Sequence, residues 1–326
     1  MRPVYRSKWP VVLSVLFSLV VIAYVFYQLD WRVVRLTFAG LNWGWVVLAF
    51  VVYILNYILR TLRLQIILPL ENAPFFQLLG LTGLYGMYNY LLPVGSGEIT
   101  LVALLNYRLK IPVVDGLASL IATRYLDFST IALMLPAVLI VNWKILPPWI
   151  VYTSLVFCAL VLMVNLYLVY FFQKDPMFSL GIFHLQVLWI ARLKEFLIRL
   201  RDGLVRVYQK KKHFHLLFLT LAVWICVYTN YYLVVISLGY QITYFQIVVV
   251  SIIMIPMTLL PIQGLANFGT HEIGWVIAFS IFGQQKDIAL SIAFSSHILL
   301  LFFVLLLGAC SYLIGFMTNT SVALQE

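Results

Sequence analysis

Two acidic residues, Glu98 and Glu272, each follow an interruption rich in Pro and Gly within otherwise apolar sequence. The first interruption reads Leu91, Leu92, Pro93, Val94, Gly95, Ser96, Gly97, Glu98; the second runs from Leu259, Leu260 and Pro261 through Gly264 and Gly269 to Thr270, His271 and Glu272. Pro and Gly stop a helix. A hydroxyl residue two positions before an acid then suits the start of a new one, the hydroxyl as N-cap and the carboxylate against the positive end of the dipole. Helix capping is therefore the plain reading of Ser96–Glu98 and Thr270–Glu272. The chemical reading adds that two short helices beginning inside a membrane present free N–H groups to an anion such as a phosphate. Their carboxylates would meet a cationic group, relay protons or be displaced when the anion arrives.

Asp127 is the third acid deep in apolar sequence, and Arg124 stands three residues before it on the same helical face, so the two can pair. Intramembrane ionisable groups face a bundle interior or a wet cavity, and a structural ion pair competes here with a binding role. Asn89 before the first break and Asn267 before the second short helix offer neutral hydrogen bonds. His271 and His297 are embedded as well. Either is a packing residue or a proton-coupling one, and both can approach Glu272 to form a His/Glu cluster. Adjacent residues such as His271 and Glu272 point different ways on a helix, which argues against a metal site, and no cofactor motif is present. Arg60 and Arg63 end an apolar stretch, with Arg108 and Lys110 nearby. They read as snorkelling topology determinants or as a cationic vestibule for anionic headgroups.

The elements that must position these residues are membrane helices. The 326 residues are 64% hydrophobic and 10% charged, against roughly a quarter charged in soluble domains. Apolar stretches from Trp9 to Gln28, Trp43 to Leu59, Val113 to Val141, Trp149 to Phe172, Leu216 to Leu238 and Ala289 to Phe316 are each near or above the roughly 17 residues that span hydrocarbon. The first is too long for a signal peptide and has no small-residue cleavage site, so it is read as retained. Cys158, Cys226 and Cys310 lie in spans without metal-ligand spacing and read as packing residues.

The expected fold is an all-α polytopic membrane protein with six full spans and two re-entrant helical hairpins, at 76–107 and 244–282. With both segments turning back, all 21 Lys and Arg residues except Arg32, Arg35, Lys144, Lys286 and the intramembrane Arg124 fall on the cytoplasmic side, as the positive-inside rule requires. Residues 1–142 then hold two spans, a hairpin and the span 113–141. Residues 143–326 hold span 149–172, a cytoplasmic segment 174–212, span 216–238, the second hairpin and span 289–316. The same series occurs twice with opposite orientation, the pattern of an inverted repeat. Asp115 and Ser119 open one span as Asp287 and Ser291 open its counterpart. Within 174–212, Leu193, Phe196, Leu197, Leu200, Leu204 and Val207 recur at helical spacing among cations, describing an amphipathic helix on the inner leaflet.

Asn89, Leu91, Leu92, Pro93, Gly97 and Glu98, followed by Arg124 and Asp127, resemble the N-x-L-L-P…G-E…R-x-x-D signature of the lysylphosphatidylglycerol synthase transmembrane-region family. Pro261, Gly264, Gly269, Glu272, Gly283, Asp287 and Ala289 resemble its second signature. The family includes the flippase half of the multiple peptide resistance factor, so the resemblance implies a translocator of lipids. It also implies no lipid synthesis, since residues 1–326 contain no aminoacyltransferase domain. Gly95, Leu101, Val102, His271 and His297 stand where family members often carry basic residues.

Charge gathered in a few loops, rather than on one soluble face, excludes nucleic acid as the natural partner. Membrane lipids with anionic headgroups are the expected partners, with a homo-oligomer or a lipid-synthesis enzyme as further ones. The reading carried forward is a non-enzymatic lipid transporter of the plasma membrane, termini cytoplasmic, that holds a phospholipid or polyprenyl phosphate at the half-helix N-termini. The competing reading is a scaffold, subunit or enzyme of a lipid-linked glycan pathway.

Overall fold

The computed structural model describes residues 19–20, 22–70, 74–92, 96–173, 188–259 and 265–323. These are helical throughout, with no strand among them: α1 (22–28), α2 (Trp31–Ala39), α3 (Trp43–Ile67), α4 (Phe75–Leu91), α5 (Ser96–Leu109), α6 (Val113–Asn142), α7 (Pro148–Gln173), α8 (Leu188–Gln209), α9 (His213–Ser237), α10 (Tyr244–Leu259), a 3-10 turn (Leu265–Asn267), α11 (Thr270–Ile281) and α12 (Lys286–Ala323). Among the described residues five helices are long and apolar enough to cross a membrane: α3, α6, α7, α9 and α12. The chain is a multi-pass membrane protein. Most of the span expected at 9–28 lies outside the described residues.

The helix starts follow from local chemistry. Asp30 accepts from the N–H groups of Arg32 and Val33 at the head of α2, and Asn42 does the same for Gly44 and Trp45 at the head of α3. Thr243 and Gln246 form a reciprocal capping box on α10, with bonds of 2.9 and 3.3 Å. The two expected interruptions fall as read: α4 ends at Leu91 and α5 begins at Ser96, while α10 ends at Leu259 and α11 begins at Thr270. The breaks themselves, 93–95 and 260–264, are outside the described residues.

Two compact units divide the chain. One comprises residues 1–54, 83–100 and 227–310; the other comprises 55–82, 101–226 and 311–326. In the first, Val46 and Ala49 of α3 meet Leu233 and Val234 of α9 and Leu299, Leu300 and Phe303 of α12 in one apolar core. Asn230 anchors this core by donating to the Ala49 carbonyl at 2.8 Å. In the same unit α10 packs on α11, and Gly97 of α5 lies directly against Asn89 of α4. A Cβ at position 97 would collide with the Asn89 backbone, so only glycine lets the two helices approach that closely across the break.

In the second unit α6 packs on α7 and on the amphipathic α8. Ile67, Ala122 and Leu216 form its core, with Leu204 and Val207 of α8 against them. Polar bonds fix α8 in place: Arg206 pairs with Asp115, and the Lys210 ammonium donates to the carbonyls of Ile66 and Leu68 at 2.9 and 2.5 Å. The latter bonds satisfy carbonyls at the C-terminal end of α3, where a cation is favoured by the dipole.

Candidate functional site

Among the described residues, each unit holds a cluster of buried ionisable groups. In the second unit, Arg63 of α3 is 2% exposed and Asp127 of α6 is 3% exposed. Arg63 Nη1 donates to Asp127 Oδ1 at 2.6 Å and to the Thr220 hydroxyl of α9 at 3.3 Å. Trp224, one turn further along α9, donates its indole N–H to the same carboxylate oxygen at 3.3 Å. Arg124 reaches the other oxygen at 3.5 Å with its side chain one-third exposed. Arg60 lies close enough to repel Arg63; its Nε donates to Asn56 at 2.7 Å and its guanidinium stacks over Tyr57.

The expected Arg124–Asp127 pair is therefore present but is the looser of two. Arg63, read from the sequence as a surface cation beside Arg60 and Arg108, is inside. A single helix face could suggest the first pair. The second joins residues 64 positions apart, and nothing in their spacing announces it. Thr220 and Trp224 are members that sequence reasoning missed, since hydroxyl and indole groups on a span usually read as packing. Arg108 is half-buried and stacks over the Tyr107 ring.

Arg63 and Arg124 both face Asp127, with Arg60 adjacent. Burying an ion costs several kcal/mol after relaxation, and apolar replacement of a buried pair is often neutral or stabilising by 1–4 kcal/mol. Stability alone therefore gives little reason to keep charge here.

In the first unit, His297 of α12 and Glu272 of α11 are both completely buried. His297 Nδ1 and Glu272 Oε1 are 2.5 Å apart, and His297 Nε2 donates to the Ala266 carbonyl at 2.8 Å. Glu272 Oε2 accepts from the Gly269 N–H at 2.7 Å. The His271 ring lies 4.5 Å from that of His297 and stacks on Trp275. Phe268 covers the other ring neighbourhood at 4.3 Å, and Tyr90 approaches edge-on at 5.7 Å. The convergence of both histidines and Glu272 is the His/Glu cluster that the sequence allowed.

Two details differ from expectation. The N-cap of α11 is Gly269, with φ at +89°, rather than Thr270. Glycine occupies that positive φ without a Cβ penalty, and the Thr270 hydroxyl turns back to donate to the Asn267 carbonyl at 3.1 Å. Glu272 itself also takes the Gly269 N–H, so an anion at this helix start would have to displace a carboxylate. At the other short helix, Glu98 sits half-buried in the first turn of α5, and Gly97 is buried against the exposed Asn89. Ser96 opens α5, and its side chain is outside the described residues. Among the described residues no group of His, Cys, Asp and Glu is arranged to hold a metal ion.

Residues 11–308 match the family described as the lysylphosphatidylglycerol synthase transmembrane region. The chain belongs to that family. No curated protein and no solved structure matches it. Both buried clusters of this lysylphosphatidylglycerol synthase transmembrane-region protein, Arg63–Arg124–Asp127 and His271–Glu272–His297, fall inside the matched residues.

Proposed function

We propose that the chain moves an anionic phospholipid or a polyprenyl-phosphate lipid between the leaflets of the plasma membrane, without covalent chemistry. The observation that carries this reading is the gathering of the Arg63, Arg124 and Arg60 guanidinium groups around the buried Asp127 carboxylate. A guanidinium offers a phosphate several N–H donors in a fixed fork, and Arg124, one-third exposed, is the member that a headgroup can reach. A lipid phosphate entering sideways would meet Arg124, share the field of Arg63 and Arg60, and leave its acyl chains in the bilayer. The phosphate site moves accordingly from the α11 N-terminus, already taken by Glu272, to the arginines.

Helix lengths support re-entrant half-helices within an inverted repeat. At 1.5 Å per residue, the 14 residues of α5 and the 12 of α11 give about 21 and 18 Å, short of about 30 Å of hydrocarbon. Such broken helices near the midplane suit alternating access.

The test is transbilayer movement of labelled phosphatidylglycerol, its lysyl form and undecaprenyl phosphate in proteoliposomes, comparing the native chain with Arg124→Gln. Headgroup-selective movement should fall at least about tenfold in the variant, equivalent to about 1.4 kcal/mol of lost charge-assisted binding. If no lipid moves faster than in protein-free vesicles, transport is wrong and a scaffold or enzyme subunit takes its place.

A further inference from the structure

The hydrogen bonds of the His297–Glu272 pair fix its proton content. The Ala266 carbonyl can only accept, so His297 Nε2 carries a proton. The Gly269 N–H can only donate, so Glu272 Oε2 is bare. The 2.5 Å contact between Nδ1 and Oε1 then requires exactly one more proton, on one atom or the other. Imidazolium with carboxylate and imidazole with carboxylic acid are both electrically neutral, and the proton belongs to the pair. Remove it and two lone pairs face each other at that distance, so the contact must open.

What opens is a latch. His297 on α12 holds Glu272 at the start of α11 and, through Ala266, the turn that precedes it. Ala266 and Asn267 both have left-handed φ values, +52° and +62°, a conformation that Asn adopts readily and Ala only under strain. The hydrogen bond from His297 holds that strained residue in place. Beside them His271, 4% exposed, leaves its buried Nε2 without a hydrogen-bond partner. In the tautomer with its proton on Nδ1, Nε2 offers a lone pair as a landing place for the shared proton.

We propose that Glu272 and His297 form an exchangeable one-proton site, with His271 as relay, whose occupancy latches α11 to α12 and couples lipid movement to protons. The proton leaves the Nδ1–Oε1 contact for His271 Nε2, leaving neutral His297, ionised Glu272 and cationic His271, so the cluster keeps its charge. It then passes to water, and the cluster becomes anionic. The phenol of Tyr90 approaches the His297 ring and that of Tyr231 lies across Trp275; α12 also carries Lys286 and Asp287, exposed in its first turn, and α10 the phenol of Tyr244. Helix α10, packed on α11, carries no charged residue, and Asp30, Arg32 and Arg35 near α1 and α2 are exposed.

The coupling rests on the transport reading, whereas the proton site stands without it, and two measurements separate them. In nanodiscs, a shift from about pH 5 to pH 9 should release about one more proton per native chain than per Glu272→Gln chain, with a matching carboxyl change in the infrared difference spectrum. His297→Gln should abolish the same signal, which keeps the result readable if one variant folds poorly. Equal release and unchanged carboxyl bands in native and variant chains would overturn the site. In proteoliposomes an imposed proton gradient should speed native lipid movement several-fold, and His271→Gln should lose that response. Movement indifferent to the gradient would overturn the coupling and leave transport intact; proton release with no movement would overturn transport instead.

Discussion

Arg63 shows how a single side chain separates stability from function. With Asp127 and Thr220 as its partners, truncation to Ala leaves the buried Asp127 carboxylate with only the looser Arg124 contact and the Trp224 indole. Arg63→Ala should therefore lower stability by about 3–5 kcal/mol, read by chemical unfolding in detergent. Replacing both members, as Arg63→Met with Asp127→Leu, should recover stability to within about 1 kcal/mol of native while lipid movement stays abolished. A double variant that still moves lipid would make the pair a packing device. At this scale the sequence disclosed the acids and the near neighbour: Asp127 stood out because charge in an apolar helix is costly, and Arg124 because three residues make nearly a turn. Arg63, Thr220 and Trp224 were hidden, since their meeting depends on how α3, α6 and α9 pack, and helical periodicity carries no information about that.

The helices themselves were more legible. Leu91 and Leu259 end helices where Pro and Gly make continuation impossible within a few residues, and the short helices resume at Ser96 and Thr270. Gly97 then sets how near α5 comes to α4. Gly97→Val should push its added atoms into the Asn89 backbone, which cannot swing aside as a side chain would. A loss of folded, monodisperse protein of several-fold is expected, measured by fluorescence-detected size exclusion. Gly40→Ala is the control: the nearest atoms its Cβ would meet are the carbonyl oxygens of Leu36 and Thr37 in the preceding turn, 3.5 and 4.0 Å away at ordinary contact, and φ is −89°. Equal yields for both variants would mean that the α4–α5 approach is not required for folding. The choice of Gly269 over Thr270 as N-cap was not legible, because it depends on a positive φ imposed by the turn at Leu265–Asn267.

Across the whole molecule, charge bias predicts which ends of the helices face the cytoplasm. Lys211 and Lys144 are both exposed and lie on opposite predicted sides. In a cysteine-free background, Lys211→Cys should react with a membrane-impermeant maleimide only after the inner face is opened, and Lys144→Cys in intact cells. The reverse pattern would invert the topology, and labelling of both from outside would remove the hairpin arrangement. The gathering of cations in a few loops was readable from the sequence. The division into two compact units was not, since each gathers segments far apart in the chain.

The neutrality of the Glu272–His297 pair has an electrical consequence. A charge carried across a polarised bilayer does work of about 2.3 kcal/mol per 100 mV, so a latched pair moving with its proton would do none. A singly charged phosphodiester held beside Arg63, Arg124 and Asp127 lowers the charge of that group by one. The empty and the loaded carrier would therefore feel the membrane voltage differently, and an inside-negative cell would bias one of the two toward one face.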